Sequence, residues 1–230
     1  MTTLKTNHFN EDAAKRYDER NSKLNPISHN LHFLMSLVLK DLPQRSRILS
    51  VGAGTGAEIL FLSQVNPHWT FVAVDPSEAM LNVCRERLTS AGAADRCEFI
   101  LGYVEDAPKE ARFDAALSVL VAHFVKRDER VAFYQCMVDR LRSGGYLVNA
   151  EISYDLDSAE FPSMLTNWEA VQKLMGATPE SLATLPKMLK EALSILSPSE
   201  TESFLKQSGL QLPVRFFQAF MINGWYSVKD

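Results

Sequence analysis

The sequence predicts an α/β fold, a mostly parallel seven-stranded sheet with helices on both faces and a C-terminal antiparallel hairpin. Three observations predict it. Between Arg47 and Ile152, short apolar runs alternate with segments whose apolar residues recur at the helical period, the order that builds parallel strands joined by crossover helices. The first apolar run breaks into the alternating glycines Gly52, Gly54 and Gly56, and the second stops abruptly at Asp75, giving strand, tight turn, helix and strand. Residues 214–220 and 225–228 then flank Met221-Ile-Asn-Gly224, a glycine-containing connection suited to a hairpin.

Taken in order, residues 9–25 are rich in charge and carry Ala13, Ala14 and Tyr17 at helix-compatible spacing, which predicts a mobile amphipathic helix. Pro26-Ile-Ser-His-Asn30 breaks it, and Leu31, Leu34, Met35, Val38 and Leu39 mark a second, better-buried helix ending before Pro43. Strands at 47–51 and 70–74 bracket a helix over about 57–64 that Asn66-Pro67 closes. Pro76-Ser77-Glu78 opens the next helix with a carboxylate in its positive first turn, and Met80, Leu81, Cys84 and Leu88 face inward. The third strand is 97–101. The fourth, 113–120, is apolar almost throughout, as suits the buried middle of a parallel sheet. A helix over 130–141, with Val131, Tyr134, Val138 and Leu141 inward, stops at Ser143-Gly144-Gly145, and the fifth strand is 146–152. From 161 to about 208 helix follows helix: Met164, Leu165, Trp168 and Val171 share one face, a second helix covers 182–196, and Pro198-Ser199-Glu200 caps a third.

The chain has 230 residues, of which 46% are hydrophobic, enough for the core of one folding unit. Its formal charge is −4, which lacks the positive excess that sequence-independent binding to nucleic acid uses. Cys84, Cys97 and Cys136 are few, odd in number and set among apolar residues, which predicts free thiols in a reducing compartment, the cytoplasm. Neither a signal-peptide core nor an apolar run long enough to span a bilayer is present, so the expected protein is soluble. His29 and His32 have no third ligand close in sequence, and no metal is expected.

Gly52-x-Gly54-x-x-Ala57 also satisfies a dinucleotide fingerprint, so the glycines alone do not choose a nucleotide. The alternating glycines, Val74-Asp-Pro-Ser-Glu-Ala-Met-Leu81 and Leu141-Arg-Ser-Gly-Gly145, in that order, resemble class I S-adenosylmethionine (SAM) dependent methyltransferases over essentially the whole chain. The resemblance implies the Rossmann-like class I methyltransferase fold, with SAM as cofactor. It also implies roles. Gly52, Gly54 and Gly56 would meet the methionine portion and ribose, Asp75 the ribose hydroxyls, Met80 the adenine and Ser118 the methionine moiety, with Pro76 also at the cofactor. Where many relatives carry Gly-Asp-Ala, this chain has Gly102-Tyr103-Val104, so Tyr103 and the Val104 N–H would take over at the base. The chain would divide into a lid and first helices (1–42), a nucleotide-binding core (43–153), a helical cap (154–210) and the closing hairpin (211–230), all within a single domain.

Within the class, Tyr17-Asp-Glu-Arg20, Pro26-x-x-His-Asn30, Gly145-Tyr-Leu-Val-Asn-Ala-Glu151 and Phe216-Phe-Gln-Ala-Phe220 look most like the carboxy-SAM synthases of the tRNA wobble-uridine pathway. That group holds its extra carboxylate with an arginine whose aligned position within Ser199-Glu-Thr-Glu-Ser-Phe204-Leu is apolar here, and it has a tyrosine near the position of Ser28 that this chain lacks. Without the arginine, a buried carboxylate would lack its partner, at a cost of several kcal/mol.

A sulfonium leaves without help, so the enzyme chiefly aligns a nucleophile and excludes water, and a general base is optional. The candidates for catalysis are His123 after the fourth strand, Glu151 and Asn149 on the fifth, Tyr154 just beyond it, and Tyr17 on the lid, where Arg20 would also reach the cofactor. The Lys126-Arg-Asp-Glu-Arg130 cluster reads as a solvated helix start. The expected function is methyl transfer to a small molecule, without nucleic acid or membrane as partner and with a homodimer left open. The alternatives are a carboxy-SAM synthase, an enzyme that cyclises or eliminates SAM to methylthioadenosine, and a non-catalytic SAM-binding module.

Overall fold

The computed structural model describes residues 11–109 and 112–230, with side chains from residue 17 onward. The start of the first helix at Phe9 lies outside the described residues. Helices α1 (Glu11–Ser22) and α2 (Asn25–Val38) precede the alternation β1 (Arg47–Val51), α3 (Ala57–Val65), β2 (Thr70–Asp75), α4 (Glu78–Ser90), β3 (Cys97–Leu101), β4 (Phe113–Val119), α5 (Arg130–Arg140) and β5 (Leu141–Ile152). Then come α6 (Phe161–Leu174), α7 (Pro179–Glu191), α8 (Pro198–Gln207), β6 (Val214–Ala219) and β7 (Ile222–Val228).

The seven strands form one sheet in the order β3-β2-β1-β4-β5-β7-β6. β1 to β5 pair in parallel, and β7 enters antiparallel between β5 and β6. Side chains alternate across this sheet, so each central strand feeds two cores. Ile48, Ala73, Ala115, Leu117 and Val148 pack with Met35, Ile59, Leu62 and Cys84 of α2, α3 and α4. On the opposite face Leu49, Val51, Val72, Ala116 and Trp225 pack with Tyr134, Met137 and Leu205 of α5 and α8. Burial on both sides is the physical reason these strands read as unbroken apolar runs. A third cluster joins Leu31 to Phe161, Trp168, Leu185 and Phe217, fastening the later helices to α2 and the hairpin.

Four expectations change. Pro26 starts a helix rather than breaking one, because it occupies the first turn of α2, where a missing N–H costs nothing. The helix read over 182–196 is α7, which begins earlier, at Pro179, and ends at Glu191. Ser143-Gly144-Gly145 does not stop a helix: α5 ends at Arg140, Leu141 already pairs with Phe113, and the glycines sit in an irregularity of the β4–β5 ladder. The hairpin turn is only Phe220-Met221, with Phe220 at φ 52. Gly224 is a strand residue, where a Cβ would come within 3.1 Å of Phe217 and 3.2 Å of the Phe216 ring, so its smallness serves packing.

His32, on α2 against the Phe61 ring, is pushed down to about 4 by burial. A folded-state value below the unfolded one means that the unfolded chain takes up this proton first, so stability falls as pH drops from about 6.5 toward 4. His123, lowered to about 3 by burial, acts with the same sign, and Glu58, raised to about 6 by burial, opposes both between its ordinary value and 6. Melting temperature is therefore expected to decline from pH 6.5 to 4, and H32F to flatten that decline. Parallel pH profiles for the two proteins would refute this.

Candidate active site

β1 delivers the chain into a turn that only glycine tolerates. Gly52 has φ +65, the N–H groups of Gly52 and Ala53 donate to the Val74 carbonyl at 2.7 and 3.1 Å, and a Cβ at Gly52 would lie 2.4 Å from Val121 Cγ2. Gly54 has φ +52, and among the described residues a Cβ there would meet only the Gly52 carbonyl, at 4.0 Å. A ligand can therefore approach this backbone closely. Gly56 starts α3, with Cys84 Sγ 2.3 Å from where its Cβ would be. G52A is expected to lower affinity for S-adenosylhomocysteine at least about tenfold, since both the left-handed backbone and the Val121 overlap oppose a methyl group. Unaltered affinity in a calorimetric titration would count against this placement of the donor.

Asp75 stands at the tip of β2, beside β1. Its Oδ2 accepts the Gly54 N–H and its Oδ1 the Ser77 N–H, both at 2.8 Å. Burial pushes its carboxyl up, and the two N–H groups pull it back. Each carboxylate oxygen keeps acceptor capacity for a further donor such as a ribose hydroxyl. Gly102 N–H donates to the Asp75 carbonyl at 3.1 Å, which brings the following turn alongside: Val104 is buried, and Tyr103 is 38% exposed. Pro76 is half-buried, and Met80 is buried in the first turn of α4, its N–H on Ser77 Oγ. The open glycine backbone, the acid with capacity to spare and the exposed ring beside it suit a nucleoside with an amino-acid tail, so the residues fit SAM.

α1 docks onto this turn from outside. Asp18 accepts from Thr55 Oγ1 at 2.8 Å and pairs with Arg87 of α4, and Arg87 Nη1 donates to the Thr55 carbonyl at 2.8 Å. Tyr17 is pushed up to about 12, by burial first and then by Glu58 and Asp18. Glu58, which accepts from Ser50 Oγ at 2.7 Å, lies beneath. Arg20 is exposed on α1. Sequence reasoning picked Tyr17 and Arg20 but missed the Asp18–Thr55–Arg87 clasp. The acid beside Tyr17 was its one local signal.

At the ends of β4 and β5 the polar candidates turn inward. Ser118, Asn149 and Glu151 share the sheet face covered by α5 and α8. Glu151, fully buried, pairs with Arg130 Nη1 at 2.5 Å and accepts from Thr201 Oγ1 at 3.0 Å, Tyr134 OH at 3.2 Å and Asn149 Nδ2 at 3.4 Å. Its carboxyl is raised by burial and lowered chiefly by Arg130. Such a carboxylate is consumed by its partners. Arg130, read as part of a solvated helix start, is the buried cation of this network, and no local pattern in the sequence marks it. Ser118 Oγ and Asn149 Oδ1 are buried with no hydrogen-bond partner among the described atoms. His123 is buried and accepts the Ile152 N–H at Nδ1, 3.4 Å away, so it stays neutral and faces the protein. Tyr154 is the outlier: half-buried, with its hydroxyl donating to Glu160 at 3.3 Å. Among the described residues no cluster of three or more metal-ligating side chains occurs.

Residues 48–145 match the family described as methyltransferase domain. The chain is 24% identical over 206 residues to a carboxy-S-adenosyl-L-methionine synthase of Campylobacter hominis, covering 89% of this chain and 86% of that one. It is 25% identical over 224 residues to the synthase of the same name from Methylococcus capsulatus, covering 96% and 93%. Among solved structures it resembles the mitomycin 7-O-methyltransferase MmcR, with TM-score 0.68 at 16% identity, over 100% of this chain and 61% of that one. It also resembles PigF solved with SAH, with TM-score 0.68 at 16% identity, over 96% and 60%. The chain thus spans about three-fifths of the length of these two structures, and the likeness to them is one of fold.

Proposed function

We propose that this SAM-dependent enzyme, built on a methyltransferase domain of the class I fold, transfers the methyl group of SAM to a small-molecule acceptor by in-line displacement. The observation that carries the reading is the hydrogen bond that the Gly54 N–H donates to the Asp75 carboxylate across the glycine turn. SAM, when bound, supplies a methyl carbon on a sulfonium that departs without acid assistance. Asp75 would hold the ribose hydroxyls, the Gly52–Gly54 backbone the amino-acid tail, Met80 and Tyr103 the base, and Ser118 Oγ would donate toward the methionine portion. Gly56, Pro76 and the Val104 N–H complete the cradle.

On the acceptor side, residues 154–210 would form a cap over the ends of β4 and β5. Leu120, Ile152, Met164 and Leu165 there are half-buried and apolar, with Tyr154 as the polar exception. With His123 and Glu151 both occupied by the protein, the acceptor must arrive as a competent nucleophile, such as a phenolate, thiolate or unprotonated amine. The net charge of −4 favours a small molecule over nucleic acid, and three free cysteines favour the cytoplasm.

A second reading, carboxy-SAM synthesis, is favoured by the curated relatives. Phe204, in the segment where that group carries its arginine, lies in the α5–α8 core under Arg127, and the buried Arg130 is already matched by Glu151. Purified protein is expected to release S-adenosylhomocysteine from SAM when offered phenols, thiols or amines. Methylthioadenosine formed from SAM alone would sink methyl transfer, and a SAM derivative heavier by a carboxyl group, found by mass spectrometry as the ligand that the purified protein carries, would establish the second reading.

A further inference from the structure

Three separate segments meet at the guanidinium of Arg130, the first residue of α5. Besides its bond to Glu151, Nη2 donates to the carbonyls of Val125, at 3.2 Å, and Ser194, at 2.7 Å. Val125 closes the 3-10 turn after β4, and Ser194 lies in the link between α7 and α8. That link is stitched down again: the Ser194 N–H donates to the His123 carbonyl at 2.9 Å, and the Leu196 carbonyl accepts from the Tyr154 N–H at 3.0 Å and Ser153 Oγ at 2.8 Å.

The same turn reaches the donor cradle from its other end. β4 runs into Leu120, a non-glycine residue held at φ 58, and Val121 then lies against Gly52. Residues 121–125 are thus a wall with one edge on the first glycine of the cradle and the other locked to the cap link. For stability alone, an apolar filling commonly serves as well as a buried ion pair. What a guanidinium adds is a rigid fork able to hold carbonyls from two segments in one geometry.

We propose that Arg130, oriented by Glu151, is a positioning residue that fixes the wall after β4 and the cap link against each other, and so sets the gap between methyl donor and acceptor. This rests on the methyl-transfer reading, because only a transfer between the two needs that gap. Arg130 is fully buried. It acts through Val125, Val121 and the Ser194 link.

R130K tests it, since lysine keeps the charge beside Glu151 but loses the fork. In the full chain, exchange of the Ser194 amide is expected to rise at least about tenfold while the β1 amides keep parent rates. Affinity for S-adenosylhomocysteine, titrated calorimetrically, should stay within about threefold of the parent, because the cradle itself is intact. Parent-like protection of Ser194 would overturn the proposal. Equal acceleration in β1 would overturn it too, because the effect would then be global stability. Should R130K not fold, the apolar pair R130M/E151L is read by the same two sets of amides. An unaltered chain that does not bind S-adenosylhomocysteine would instead remove the donor reading, while Ser194 exchange still judges the clamp.

Discussion

Replacing Glu151 by alanine is expected to destabilise the fold by about 3–5 kcal/mol, because it leaves the fully buried Arg130 without a counter-charge. The ion pair is not in itself worth that much. Its two desolvated charges offset one another, and the cost appears when one is left alone. Thr201 and Tyr134 would also lose the carboxylate they donate to. Adding R130M to E151A should recover part of the loss, which separates the uncompensated charge from the cavity left by the side chain. Urea denaturation of the single and double variants measures both quantities. A loss below about 1 kcal/mol for E151A would mean that Arg130 finds another acceptor, and the described network would not be the one that matters.

D75A should weaken binding of SAM or S-adenosylhomocysteine by about 1.5–3 kcal/mol, roughly ten- to more than a hundredfold. Two effects combine. The ribose loses its acceptor, and the Gly54 and Ser77 N–H groups lose the carboxylate that shapes the turn, so the ligand-free protein should also melt lower. D75N keeps one acceptor oxygen and should fall between parent and D75A in a calorimetric titration. Equal affinity in all three proteins would refute the assignment of Asp75 to the ribose.

The sheet and its helices were legible because each central strand is buried on both faces, so the apolar run itself marks the strand. The bounds of β1 and β3 are those read from the sequence. Asp75 was legible because an apolar strand has no other reason to end in a carboxylate beside a glycine turn. What could not be read locally was anything made by distant partners. Arg130 lies in a charged pentapeptide of which three residues are exposed, and its partner is 21 residues away. The acid–threonine–arginine clasp joins residues 37 and 69 positions apart. Glycine misled in one place: Gly224 looks like a turn residue, but two phenylalanines beside it demand its missing side chain.

The clasp of Asp18 and Arg87 around Thr55 bears on how the chain can be shortened. Its grip is on protein atoms of the glycine turn, and α1 contributes no strand to the sheet. A chain beginning at Leu24 is therefore expected to keep all seven described strands and both carboxylate bonds of Asp75 while losing the brace that α1 places on Thr55. In such a chain the donor should associate as fast as before and depart sooner, so the contribution of α1 is read as residence time.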